Sequence, residues 1–165
     1  MILVTGATGF VGGTVVRRLL ADDQSQSIAV AVRRDDQRWP QRVFPRVMGD
    51  LEPSNNWSIA LADVSAVVHC AARVHVMADT ATDPLAEFRR VNVQGTLSLA
   101  RQAAVAGVRR FVFISSIKVN GESTQPGHPF TADDAPAPLD PYGISKGEAE
   151  QGLRELSAQT GMEVV

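Results

Sequence analysis

The chain opens MILVTGATGFVGG, and no other stretch restricts the fold as much. A short continuous apolar run reads as a strand buried on both faces. It passes directly into Gly6, Gly9 and Gly12, spaced three apart, and then into GTVVRRLLADD, whose apolar residues recur at helical spacing. Glycines let the backbone turn sharply and let a pyrophosphate approach. The helix N-terminus adds free N–H groups and a favourable dipole. The first two glycines stand one residue further apart than in G-x-G-x-x-G. The other reading is a glycine-rich turn that holds nothing, and the strand before it and helix after it favour the nucleotide.

The opening unit is repeated in kind along the chain. SIAVAVRR is a second strand and RVFPRVMGDL a third, with Pro45 arguing for a sheet edge. NWSIALADV reads as a short helix, and SAVVHCAA as a fourth strand ending in small residues. A long helix follows, with Asp83 as N-cap, Pro84 in its first turn and Gly107 just past its end. Phe88, Val91, Gly95 and Leu99 form its apolar stripe, and Gly95 implies close approach of another backbone. RRFVFISS is a fifth strand. A long Pro-, Gly- and Asp-rich loop leads to the helix YGISKGEAEQGLRELSAQTG, and MEVV opens a sixth strand. Such alternation predicts an α/β domain, a doubly wound parallel sheet with helices on both faces.

Composition narrows the function. At 165 residues the chain can bury a core without disulfides or metal. Its formal net charge is −2 and its arginines are scattered, with no basic run or aromatic ladder, so no nucleic-acid partner is expected. A single cysteine, Cys70, excludes a disulfide framework and fits a reducing cytoplasm; it reads as a small buried core residue. No apolar run reaches membrane-spanning length, and the N-terminus lacks the marks of a signal peptide. His69, Cys70, His75 and His128 have no metal-ligand spacing. Asp133 and Asp134 read as loop solvation, and no G-x-S-x-G elbow suggests a hydrolase.

Three further features carry chemistry. Arg33 and Arg34 follow the second strand where NAD-binding folds place an acid for the ribose; an arginine there suits the 2′-phosphate of NADP, so NADP is favoured over NAD. Asp50, after the third strand, either reaches an adenine amino group or caps a following helix. Tyr142 is the single tyrosine and Lys146 one of two lysines, one helical turn apart. A phenol titrating near 10 is a poor acid–base group at neutral pH, and an ammonium beside it would lower that value. Ser115 and Ser116 end the fifth strand, at the sheet edge where parallel folds keep their sites.

Taken in order, TGATGFVG, GDL, HCAA, NVQGT, FVFISSIKVNGE and PYGISK resemble the extended short-chain dehydrogenase/reductase family, in its branch of nucleotide-sugar epimerases, dehydratases and reductases such as UDP-glucose 4-epimerase. The likeness runs through nearly the whole chain. It implies a Rossmann-type fold and a triad of Ser116 (five residues before Gly121), Tyr142 and Lys146. It also implies a cofactor site including Gly6, Thr8, Gly9, Phe10, Val11, Gly12, Arg33, Asp50, Leu51 and Ala71, with Lys146 on the nicotinamide ribose and Asn92 ordering the site. Ser116 is preferred over Ser115. The expected function is NADP-dependent reduction of a 4-keto UDP-sugar in surface polysaccharide synthesis. The alternatives are an NAD-dependent UDP-sugar 4-epimerase and a non-catalytic cofactor-binding fragment. Asn120, where many such epimerases carry tyrosine, tilts the reading toward the reductase. The family continues well past the sixth strand into a region that binds the sugar nucleotide. Residues 1–165 are therefore expected to be the cofactor domain, incomplete at its C-terminus and without the substrate domain. Helix-paired homodimers are common in the family.

Overall fold

The computed structural model describes residues 1–22, 26–35, 38–74 and 82–165; Asp36 and His75 lie outside these. Six strands form one sheet: β1 (Ile2–Thr5), β2 (Ile28–Val32), β3 (Val43–Val47), β4 (Ala66–His69), β5 (Arg110–Phe113) and β6 (Glu163–Val164). Their order is β3-β2-β1-β4-β5-β6 and every pair is parallel. This is the doubly wound Rossmann arrangement, in which chain direction across the sheet reverses between β1 and β4 and leaves a crevice beyond their C-terminal ends. Pro45 sits in the edge strand β3, where its missing N–H costs the ladder nothing.

Side-chain alternation divides the core in two. Val4, Ile28, Val30 and Val32 pack with Val16 of helix α1 (Phe10–Asp22) on one face. Leu3, Ala29, Ala31, Val67 and Phe111 turn to the other, against Leu99, Ala100 and Ala103 of α3 (Thr96–Val105) and Leu153 and Leu156 of α4 (Pro141–Thr160). Adjacent residues of each central strand thus enter opposite layers, which is why these strands read as unbroken apolar runs.

Two elements depart from the sequence expectation. The expected helix in NWSIALADV is a set of consecutive turns over 58–63. One helical bond forms, Leu61 N–H to Trp57 O at 2.9 Å, before Asp63 turns the chain back at φ +60°. Trp57, Ala60 and Leu61 are nonetheless buried, so the apolar pattern is satisfied without a helix. The long helix between Asp83 and Gly107 begins as expected, with Asp83 accepting from Ala86 N and Pro84 in the first turn. It is not α-helical throughout. After α2 (Pro84–Phe88) comes a π-helical stretch, Arg89–Gly95, before α3. Burial falls on Phe88, Asn92, Gly95, Thr96 and Leu99, so two polar residues take inward places and Val91 is only half-buried. At Gly95 the near neighbour is the Leu51 side chain, whose Cγ would lie 3.0 Å from an added Cβ, with Leu51 O at 3.4 Å.

Candidate active site

A cleft of about 800 Å³ opens at the ends of β1, β2 and β4. Gly6, Thr8, Gly9, Phe10, Val11 and Gly12 form its wall, with Arg33, Asp50, Leu51 and Ala71 around it, so ten of the sequence-assigned cofactor residues meet in one place. The loop geometry explains the glycines. Gly6 has φ +66°, and a Cβ there would lie 2.8 Å from Ala71 N. A Cβ on Gly12 would lie 2.3 Å from Gly6 O. No side chain fits at either position. The backbone is therefore drawn tight around the first turn of α1, whose leading N–H groups lack intrahelical acceptors. A cradle of this kind fits the pyrophosphate of a dinucleotide.

At the far end of the cleft Arg33 Nη1 stands 3.8 Å from Asp50 Oδ1, both side chains largely exposed. No helix follows Asp50, so its capping role does not arise. Arg34 is exposed and is not among the cleft residues. Cys70 lines the cleft half-buried, which corrects its expected place in the core; burial raises its thiol pKa. Its neighbour His69 is the buried residue, because strand alternation sends 69 inward and 70 toward the opening.

Beyond Cys70 and Arg73 lies a second cluster. Asn92 accepts from Arg73 N at 2.7 Å and donates to Arg73 O at 3.0 Å and Ser145 Oγ at 3.0 Å. Asn92 thereby ties the chain after β4 to α4. The π-helical stretch that carries it belongs to a class of distortion often found at functional sites. Lys146 is buried on α4, donates to Ile114 O at 2.7 Å and lies 3.7 Å from the Phe113 ring centroid. Burial lowers its pKa to about 8.

Tyr142, one turn earlier, is half-buried, packs edge-on against Phe88 and hydrogen-bonds Ser116. Ser116, in turn, caps the 3-10 turn Ile117–Val119 by accepting from Lys118 N at 3.3 Å. Ser115 is turned away to Glu150. The structure thus joins Ser116 and not Ser115 to the tyrosine.

The phenol of Tyr142 is pushed up, first by burial; the Ser116 hydrogen bond opposes this, the Asp140 carboxylate adds to it, and the Lys118 ammonium opposes it. This corrects the expectation that Lys146 lowers it. Lys146 directs its ammonium to the Ile114 carbonyl and the Phe113 ring, and the cation acting on the phenol is Lys118. Sequence reasoning missed Lys118, although it is the only other lysine and lies two residues from Ser116. Among the described residues, no group of three or more His, Cys, Asp or Glu is placed to hold a metal ion, and no helix is long and apolar enough to cross a membrane.

The geometry has counterparts. Residues 2–165 match the family model described as NAD dependent epimerase/dehydratase family. A UDP-glucose 4-epimerase of Vibrio cholerae is 48% identical over 99% of this chain and 49% of its own length. The crystal structure of a short-chain dehydrogenase/reductase superfamily protein from Agrobacterium tumefaciens with bound NAD is similar with TM-score 0.78 and 35% identity, covering 100% of this chain and 47% of that one. MoeE5 in complex with UDP-glucuronic acid and NAD is similar with TM-score 0.80 and 33% identity, covering 99% and 51%. The chain spans about half the length of the curated relatives it matches.

Proposed function

The chain belongs to the NAD dependent epimerase/dehydratase family, and from that premise we propose that residues 1–165 are the cofactor-binding part of an NAD-dependent 4-epimerase of UDP-linked hexose. The observation that carries the chemistry is the Ser116–Tyr142 hydrogen bond beside the buried Lys146, next to a cleft whose glycines leave no room for side chains. The 48% identical UDP-glucose 4-epimerase favours epimerisation over the one-way reduction of a 4-keto sugar.

The assigned groups act as follows. Gly6, Gly9 and Gly12 admit the pyrophosphate, and the α1 N-terminus meets its charge. Asp50 and Leu51 face the adenine end, with Ala71 beside Gly6. When bound, the nicotinamide supplies an acceptor and donor of hydride at the sugar's C4. Tyr142 takes the proton from the 4-hydroxyl and returns it to the 4-oxygen after the sugar presents its other face. Ser116 holds that oxygen, and Lys146 binds the ribose and keeps positive charge near the proton path. NAD is proposed over NADP because Asp50 lies 3.8 Å from Arg33 and offsets the charge that a 2′-phosphate would use.

Two measurements test this reading. In titrations followed by nicotinamide fluorescence, NADH should bind at least about tenfold tighter than NADPH, a difference of about 1.4 kcal/mol. Preference for NADPH would return Arg33 to the phosphate role and favour the reductase. In the protein that carries this sequence, Tyr142→Phe should slow UDP-glucose to UDP-galactose conversion by about 10²-fold or more while NADH binding persists. Undiminished turnover in that variant would remove Tyr142 as the acid–base group.

A further inference from the structure

We propose that Lys118 is a positioning residue of the Ser116–Tyr142 pair, clamping the turn that carries the serine to the helix start that carries the tyrosine. The inference rests on the reading above only in naming that pair as the reacting one. Two separate elements must meet for Ser116 to reach Tyr142. The first is the 3-10 turn after β5, which Ser116 itself caps. The second is the N-terminus of α4, which Asp140 caps by accepting from Gly143 N at 2.5 Å. Lys118 joins them. Its Nζ donates to Asp140 Oδ2 at 2.5 Å and to the two Glu122 oxygens at 3.0 and 3.1 Å.

The backbone is built for the same contact. A Cβ on Gly143 would lie 2.7 Å from Lys118 O, so only glycine lets the helix start come this close to the turn. Ala137 N–H to Val119 O, at 2.9 Å, closes the loop between them. The Lys118 and Asp140 side chains are only 27% and 29% exposed, so their pairing is less screened than that of a surface pair. Both lysines of the chain therefore stand at this site, with different tasks: Lys146 faces the sheet and Lys118 faces the capped helix start.

Clamping also settles the charge around the phenol. Asp140 lies two residues before Tyr142 and Glu122 is held by the same ammonium. Without Lys118 the Asp140 carboxylate would act on the phenol uncompensated. Of the other charged groups nearby, Lys146 is turned to Ile114 O, Arg73 lies over the far partner ring Phe88 at 5.4 Å, and Arg89 pairs with Glu148 on the next turn of α4.

Tyr142 is the single tyrosine of residues 1–165, and the signal that Tyr142→Phe abolishes identifies its phenolate. Phenolate absorbance at 295 nm and the Tyr 13Cζ shift are followed against pH, within the range where tryptophan fluorescence reports a folded chain. Lys118→Met should cut the phenolate fraction at a given pH by about threefold to tenfold, and Lys118→Arg should restore it. If Lys118→Met does not fold, Lys118→Gln, which removes the charge and is too short to keep Asp140 and Glu122 together, should lower the fraction in the same direction. An unchanged titration in a folded Met or Gln variant overturns the proposal. Neither signal needs turnover or a nucleotide, so a failure of the epimerase reading would show as absent conversion with the tyrosine response intact.

Discussion

His69 illustrates how one buried side chain can set both a site and a pH limit. It lies fully buried between Phe111 and Phe113, with Nδ1 2.7 Å from Thr5 Oγ1 and Nε2 2.9 Å from Thr96 Oγ1. The Ala71 amide donates to the same Thr5 Oγ1 at 3.1 Å, so ring, hydroxyl and loop amide form one chain of polar contacts. A neutral ring therefore links the residue before the glycine turn, the strand end beside it and the helix behind. Burial, followed by the charge of Lys146, lowers the ring's pKa to about 3 from 6.5. Below pH 6.5 the unfolded chain binds a proton that the folded one refuses, so stability rises with pH through this window. The contribution is full above pH 6.5 and is lost as pH falls toward 3, at up to about 1.4 kcal/mol per pH unit. Urea unfolding at pH 7.5 and pH 5 should differ by roughly 2 kcal/mol on this account, and His69→Gln should flatten the difference while lowering stability at both. An equally steep loss in the variant would assign the acid sensitivity elsewhere. Composition gave no sign of this: the sequence shows a histidine before a cysteine, and only strand alternation and the two facing threonines tell which one is buried.

At the scale of elements, the stretch from Pro84 to Val105 shows what residue patterns convey and where they stop. Its two ends were legible, because capping depends on neighbouring residues: Asp83 with Pro84 at one end, Gly107 at φ +81° at the other. Its interior was not. Hydrophobic periodicity assigned the inward stripe to Val91, whereas the structure gives full burial to Asn92 and Thr96, whose partners Arg73, Ser145 and His69 lie 19, 53 and 27 residues away in sequence. Long-range polar pairing overrides the apolar template, and the π-helical hydrogen bonding accompanies it. Asn92→Ala would remove the bonds to Arg73 N and Arg73 O and the bond to Ser145 Oγ, which keeps its own bond to Tyr142 O. The expected loss is roughly 2–4 kcal/mol in urea unfolding, from three hydrogen bonds lost at one buried side chain. Because Arg73 also lines the cleft, NADH binding should weaken in step. Full stability in the alanine variant would mean that the chain after β4 keeps its place without these bonds.

For the molecule as a whole, the strand order was readable because each layer obeys a simple period and each crossover a fixed hand. What assembles the cleft is the reversal between β1 and β4, and no local pattern marks that point except the glycine turn that enters it. The proposed catalytic cluster was legible as residue types and was misread as geometry, since Lys146 and Tyr142 share a helix but address different neighbours. A cleft formed by three strand ends, a helix start and the chain after β4 exists only in the folded state, so a ligand that fills it must stabilise the entire sheet. At a free NADH concentration of one hundred times Kd, the gain is about 2.7 kcal/mol. For a chain of this size that corresponds to a rise in Tm of about 5–11 °C. NADPH at the same concentration, bound tenfold more weakly, should give about half that rise, since the gain follows the logarithm of the affinity. Gly12→Ala forces a Cβ to 2.3 Å from Gly6 O, so it should lower Tm by itself and also remove most of the NADH-dependent increment. The increment is the telling quantity, because a merely destabilised but intact cleft would keep it. A Gly12→Ala chain with lowered Tm and an undiminished NADH shift would place the nucleotide somewhere other than the turn between β1 and α1.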